Sequence, residues 1–241
     1  MLLHQNGGMI DVWAAFNWQA CHPFPYPADN YYPFEEWYFL KFREADKRER
    51  IYLPIFWTGF YVRANYGKDI AALAHLQGYI NILDKSKKYY TIVQYDDGIL
   101  NDLSGLDIRV YSMSGTPMHY PLPLICQPHE YKFDLERDIF MSFVGRNTHP
   151  FREKILAEYE NHFGSYVTSR RHTIKEYCKI LARSVFALCP RGHGPTSFRI
   201  MEALQYGAIP VYISDKLIFP HHQSFPGISI PTMGNFSARA L

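Results

Sequence analysis

An α/β protein with mainly parallel sheets is the fold this sequence predicts, on three observations. Short apolar runs alternate along the chain with amphipathic helical patterns. Several of the runs, Ser184–Cys189 among them, lack a polar face, as strands covered by helices on both sides do. A Gly/Pro-rich turn then joins one such strand directly to a helix, the junction at which α/β sheets bind phosphates.

Taken in order, the apolar runs predict strands at Ile51–Ile55, Tyr90–Tyr95, Asp107–Tyr111, Asp138–Gly145, Ser184–Cys189 and Ala208–Ser214. Helical patterns fill Phe34–Ala45, Asp69–Leu83, Phe151–Phe163, Thr173–Ala182 and Ser197–Tyr206. Ahead of the first helix, residues 21–34 carry Pro23, Pro25, Pro27 and Pro33, which forbids regular helix or central strand. This long loop reads equally as part of an acceptor site or as irregular packing. The segment Gln127–Arg137 is polar, holds Pro128 and falls between two predicted strands, so the expected domains are 1–127 and 128–241.

Bulk composition narrows the function classes. A 47% hydrophobic content is that of a folded chain, and a net charge of +2 gives no reason to expect a nucleic-acid or membrane-surface partner. No stretch approaches the roughly 18–20 apolar residues that cross a bilayer, and Met1–Gly8 lacks the basic start of a signal peptide. Cys21, Cys126, Cys178 and Cys189 form no C-x-x-C pair, so neither a disulfide framework nor a zinc site is expected. A cytoplasmic, reducing location follows as an expectation. The 19 Tyr and 17 Phe belong mostly to the core.

The chemistry concentrates in residues 184–214. Here a strand runs into Pro190-Arg191-Gly192-His193-Gly194-Pro195, a helix begins at Thr196 or Ser197 as cap, Gly207 stops it, and Pro210 marks the next strand as an edge or an irregularity. Arg199 in the first turn opposes the helix dipole, and Arg191 lies just ahead of it. Two guanidinium groups there suit an anion, above all a diphosphate; one of them could instead pair with Glu202 or another carboxylate. Glu202 lies about 4.5 Å of helix rise beyond Arg199, where a carboxylate could accept from the hydroxyls of a ribose. His193 is the one histidine of eleven placed at this turn.

This block resembles the exostosin-like glycosyltransferases. The agreement lies in Pro190, Gly192, Ser197, Arg199, Glu202, Ala203, Gly207, Ile209, Pro210, Val211, Ser214 and Asp215, with Phe143-Val144-Gly145-Arg146 and Arg152 upstream. It covers residues 138–215 well and the N-terminal half loosely. The resemblance implies a GT-B architecture of two Rossmann-like domains facing across a cleft. It also implies metal-independent, cofactor-free transfer of a sugar from a nucleotide-diphosphate donor, usually a UDP-sugar, to a glycan or other hydroxyl acceptor with inversion. The implied donor-binding residues are Gly145, Arg146, Arg191, Gly192, His193, Ser197, Arg199 and Glu202. Beyond Asp215 the family continues with further helices, whereas Phe225–Leu241 reads as coil, so a C-terminally shortened chain is expected. A non-catalytic nucleotide-sugar-binding module is the alternative reading.

Inversion by direct displacement needs a base for the acceptor proton. Asp96 and Asp97, in Tyr95-Asp96-Asp97-Gly98 directly after a predicted strand, are the expected catalytic carboxylates. An ordinary Asp-Gly turn explains the same residues. Adjacent side chains diverge on an extended chain, so the pair is not expected to hold a metal.

Overall fold

The computed structural model of the chain describes residues 3–5, 8–10, 33–42, 49–113, 120–124, 126, 128–160 and 162–215. The proline-rich loop 21–34 thus lies outside the described residues except for Pro33 and Phe34, as does everything after Asp215. The chain divides into two units, Met1–Leu122 and Pro123–Leu241.

The first unit opens on an antiparallel pair, β1 (Leu3–Gln5) and β2 (Gly8–Ile10). Its main sheet is parallel, in the order β3 (Ile51–Tyr52), β4 (Lys88–Val93), β5 (Asp107–Ser112), β6 (Tyr120–Pro121). Both faces of β4 are buried, which is why it reads as a continuous apolar run. Tyr89 and Val93 pack into one cluster with helices α2 (Trp57–Arg63) and α3 (Ile70–Asn81). Tyr90 and Ile92 pack on the other face with Tyr38 and Phe39 of α1 (Phe34–Phe42).

Two expectations change here. The strand expected over Ile51–Ile55 has only two paired residues, because Pro54 has no N–H to donate and the chain turns away after Leu53 bonds Tyr90 O. It turns into α2, which carries no sequence signature: Gly59 sits inside it, and Trp57 through Tyr61 are all buried, so no polar stripe exists to reveal a helical period.

In the second unit the parallel order is β10 (Ile209–Ile213), β9 (Ser184–Pro190), β7 (Ile139–Val144), β8 (Ser165–Thr168). Pro210 therefore sits on an edge strand among the described residues, where a missing N–H costs no ladder bond to a further neighbour. Helix α4 (Pro150–Tyr159) covers one face, setting Ile155 and Leu156 against Phe143, Val167 and Leu188. On the other face α5 (Ile174–Arg183) and α6 (Arg199–Gln205) set Leu181 and Ala203 against Ala187 and Cys189. Thr173 and Glu176 close a reciprocal capping box on α5.

The division between units falls between Leu122 and Pro123, ahead of the polar segment expected to mark it. Residues 128–137 belong to the second unit because they are tied along α6. His129 N donates to Gln205 Oε1 at 2.9 Å, Tyr206 Oη to Tyr131 O at 3.1 Å, and Arg137 to Tyr206 O.

Candidate functional site

Strands β7 and β9 are neighbours and parallel, so their carboxyl ends open on the same side of the sheet. After β7 come Gly145 and Arg146, then His149, which caps α4 with Pro150 in its first turn. After β9 come Arg191, Gly192 and His193 on the way to α6. Gly145 is dictated by space: a Cβ there would stand 2.7 Å from Arg199 Nη2 and 3.2 Å from the Phe143 ring.

Arg152 ties these loops together. Its Nε donates to Arg191 O at 2.9 Å, its Nη1 to Arg146 O at 3.3 Å and its Nη2 to Pro190 O at 3.4 Å. Arg191 forms an ion pair with Asp215, and its Nη2 donates to His193 O at 3.0 Å. His149 Nδ1 accepts from Phe151 N at 3.3 Å. Burial first, and then the nearby Arg191, hold the His149 pKa below its usual value, while Asp215 opposes them. A neutral ring with its proton on Nε2 suits that cap. Arg146, Arg152 and Arg191 gather at these two loops, with Arg191 paired to Asp215, and this concentration of positive charge suits an anionic ligand.

Arg199 takes a different place from the one expected. Its side chain is buried, its Nη2 donates to Val144 O and its guanidinium lies 4.7 Å over the Phe143 ring. It braces the end of β7 beneath Gly145. Glu202 is buried too; Tyr177 Oη donates to its Oε2 at 2.6 Å, and His129 Nε2 stands 3.9 Å from its Oε1. The helix starts at Arg199 rather than Ser197, and its N-cap is Phe198, with no side-chain cap. Phe198 already has right-handed helical geometry, so the buried Ser197 Oγ reaches Arg199 N, at 3.4 Å, instead of capping.

In the first unit, Asp96 and Asp97 occupy an exposed turn at the carboxyl end of β4, closed by Gly98 N donating to Tyr95 O at 2.9 Å. Gly98 holds φ at +75°, the left-handed conformation that glycine adopts without penalty. Beside this strand end lies a carboxyl pair that the sequence reading passed over. Glu35 is fully buried, and its Oε1 accepts from Thr58 Oγ1 at 2.7 Å, Gln94 N at 2.9 Å and Thr58 N at 3.2 Å. Gln94 Oε1 in turn accepts from Phe34 N at 2.8 Å, so α1, α2 and the end of β4 meet at one carboxylate. Glu36 is buried as well, and burial, then the neighbouring Glu35, raise its pKa to about 7. The signal was present in the sequence: two consecutive acids after Pro33-Phe34, in the first turn of a predicted helix. Among the described residues no three His, Cys, Asp or Glu side chains gather as a metal site would require. No helix among them is long and apolar enough to cross a membrane.

Comparison with known families bears mainly on the second unit. Residues 111–226 match the exostosin GT47 domain. Over that segment, a little under half of the chain, the sequence is similar to the exostosin-like family. A probable glucuronoxylan glucuronosyltransferase of Arabidopsis thaliana is 37% identical over 109 residues, 39% of this chain and 24% of the relative. A probable glucuronosyltransferase of Oryza sativa subsp. japonica is 33% identical over 105 residues, 39% of this chain and 23% of its own. An exostosin-1 homolog of Caenorhabditis elegans is 47% identical over 49 residues, 20% of this chain and 13% of the relative. The exostosin match takes in Gly145, Arg146, Arg152, Arg191, Arg199 and Glu202, whereas Glu35, Glu36, Asp96 and Asp97 lie outside it.

Proposed function

We propose that this chain is an exostosin-like, GT-B-type inverting glycosyltransferase that moves a sugar from a UDP-sugar to a hydroxyl of a glycan or similar acceptor. The observation that carries the reading is the group of arginines, Arg146, Arg152 and Arg191, at the adjoining carboxyl ends of β7 and β9. Arg191, Arg146 and Arg152, with the backbone at Gly145, Gly192 and His193, hold the donor diphosphate. Arg199 supports the floor of that site from beneath, Ser197 sets the start of α6, and Glu202 receives the ribose. Positive side chains neutralise the diphosphate, so the reaction needs no metal or cofactor. A glucuronosyl donor is the first to test, because two relatives carry that sugar in their names.

Asp96 or Asp97 serves as the base. Its carboxylate takes the acceptor hydroxyl proton while the oxygen forms a bond to the anomeric carbon, and UDP leaves with the electrons of the broken C–O bond. UDP release from UDP-glucuronic acid in the presence of a glycan acceptor, with product anomer assigned by NMR, tests the reaction. Asp96→Asn or Asp97→Asn is expected to slow turnover by roughly 10²–10⁴-fold with UDP affinity intact. Full turnover in both variants would remove the base from this turn, and a retained anomer would remove inversion.

A further inference from the structure

His129 Nε2 and Glu202 Oε1 face one another at 3.9 Å, with their side chains only 11% and 6% exposed. That distance is too long for a direct hydrogen bond. Nε2 is buried without a hydrogen-bonding partner. The other oxygen of Glu202 is already engaged by Tyr177 Oη. His129 is fixed from behind: its ring stacks on Tyr206 with centroids 6.0 Å apart, and its backbone N donates to Gln205 Oε1. Gln205 is anchored in turn by its Nε2 donating to Cys126 Sγ at 2.9 Å. These contacts position the imidazole and leave its Nε2 unused.

A buried donor without an acceptor costs more than an ordinary hydrogen bond returns, so the pair is built for an atom that comes from outside. That atom sits off the line joining the two, about 2.8–3.0 Å from each. It has to accept from the imidazole N–H and donate to the carboxylate. A phosphate oxygen cannot donate and an amide nitrogen cannot accept; a water molecule or an alcohol hydroxyl does both, and the hydroxyl is what a nucleotide brings.

We propose that His129 and Glu202 together clamp one ribose hydroxyl of the nucleotide, His129 Nε2–H donating to its oxygen while the hydroxyl donates to Glu202 Oε1. The proposal rests on the reading of Glu202 as the ribose ligand, and it adds a second ligand and a function, the selection of ribonucleotides over deoxyribonucleotides. Gln205 and Tyr206 are then positioning residues, placing the ring against the carboxylate.

Calorimetric titration of the full chain with UDP, 2′-deoxy-UDP and 3′-deoxy-UDP tests it. The unaltered protein should bind one of the deoxy forms about tenfold more weakly than UDP. His129→Phe keeps a ring against Tyr206 but removes the N–H, and should weaken UDP while shrinking that discrimination to about twofold or less. His129→Gln carries an amide N–H toward the same point and should recover part of it; if the Phe variant melts early, His129→Ala carries the same test. Full discrimination in folded His129→Phe, together with its loss in Glu202→Gln, would leave Glu202 as sole ribose ligand and overturn the role of His129. Equal binding of all three nucleotides by the unaltered protein would overturn the Glu202 reading itself.

Discussion

Glu36 keeps a carboxyl in a place where its charge is poorly solvated, and Glu35, fully buried on the neighbouring helix position, adds like-charge repulsion. Its folded pKa of about 7 exceeds the ordinary carboxyl value, so the folded state binds a proton more tightly than the unfolded chain. The sign follows: the group costs the fold nothing below about pH 4.5 and becomes destabilising as pH rises toward 7. Glu36→Gln mimics the protonated side chain. Melting temperature should therefore change little at pH 4.5 and rise at pH 8, and an equal shift at both pH values would contradict the assignment. Gly145 makes a second prediction at this scale. Gly145→Ala drives a methyl into Arg199 Nη2 and the Phe143 ring, an overpacking that should cost about 1–3 kcal/mol in denaturant unfolding.

Among the elements, those of the second unit were the most legible. β7, β9 and β10 are apolar runs broken by Gly or charged residues, and Gly207, at φ +68°, ends α6 where its type predicted. Thr173 likewise announces α5, and Thr173→Ala should lower stability by about 1 kcal/mol, read by chemical denaturation. What escaped has physical causes. β8 is a four-residue edge strand with two polar residues, too short to show a period, and α2 is buried nearly all round. The site was legible in its residue types but not in their directions. Spacing put Arg199 at a helix start, yet only the packing of Phe143 and Gly145 turns its guanidinium inward, and His129 reaches Glu202 from 73 positions away along the chain. Arg152, 38 positions ahead of Pro190 in the Gly-rich turn, is the residue that joins the two loops.

At the scale of the whole molecule, each unit carries its own parallel sheet with helices on both faces, and the exostosin match runs from the end of β5 through β6 and most of the second unit, to residue 226. The aligned segment covers about a quarter of the length of the first two curated relatives, so their activity comes to this chain as a proposal resting on the site. That site makes a specific demand: affinity must come from the diphosphate. Calorimetry of UDP against uridine, on the full chain and on Arg191→Ala, measures it most directly. The account predicts that UDP binds at least about tenfold more tightly than uridine, and that Arg191→Ala, correctly folded, loses most of that advantage, since a charge-assisted hydrogen bond contributes roughly 1.5–3 kcal/mol. Equal affinity for UDP and uridine, or an Arg191→Ala variant that binds UDP as well as the unaltered protein, would contradict it.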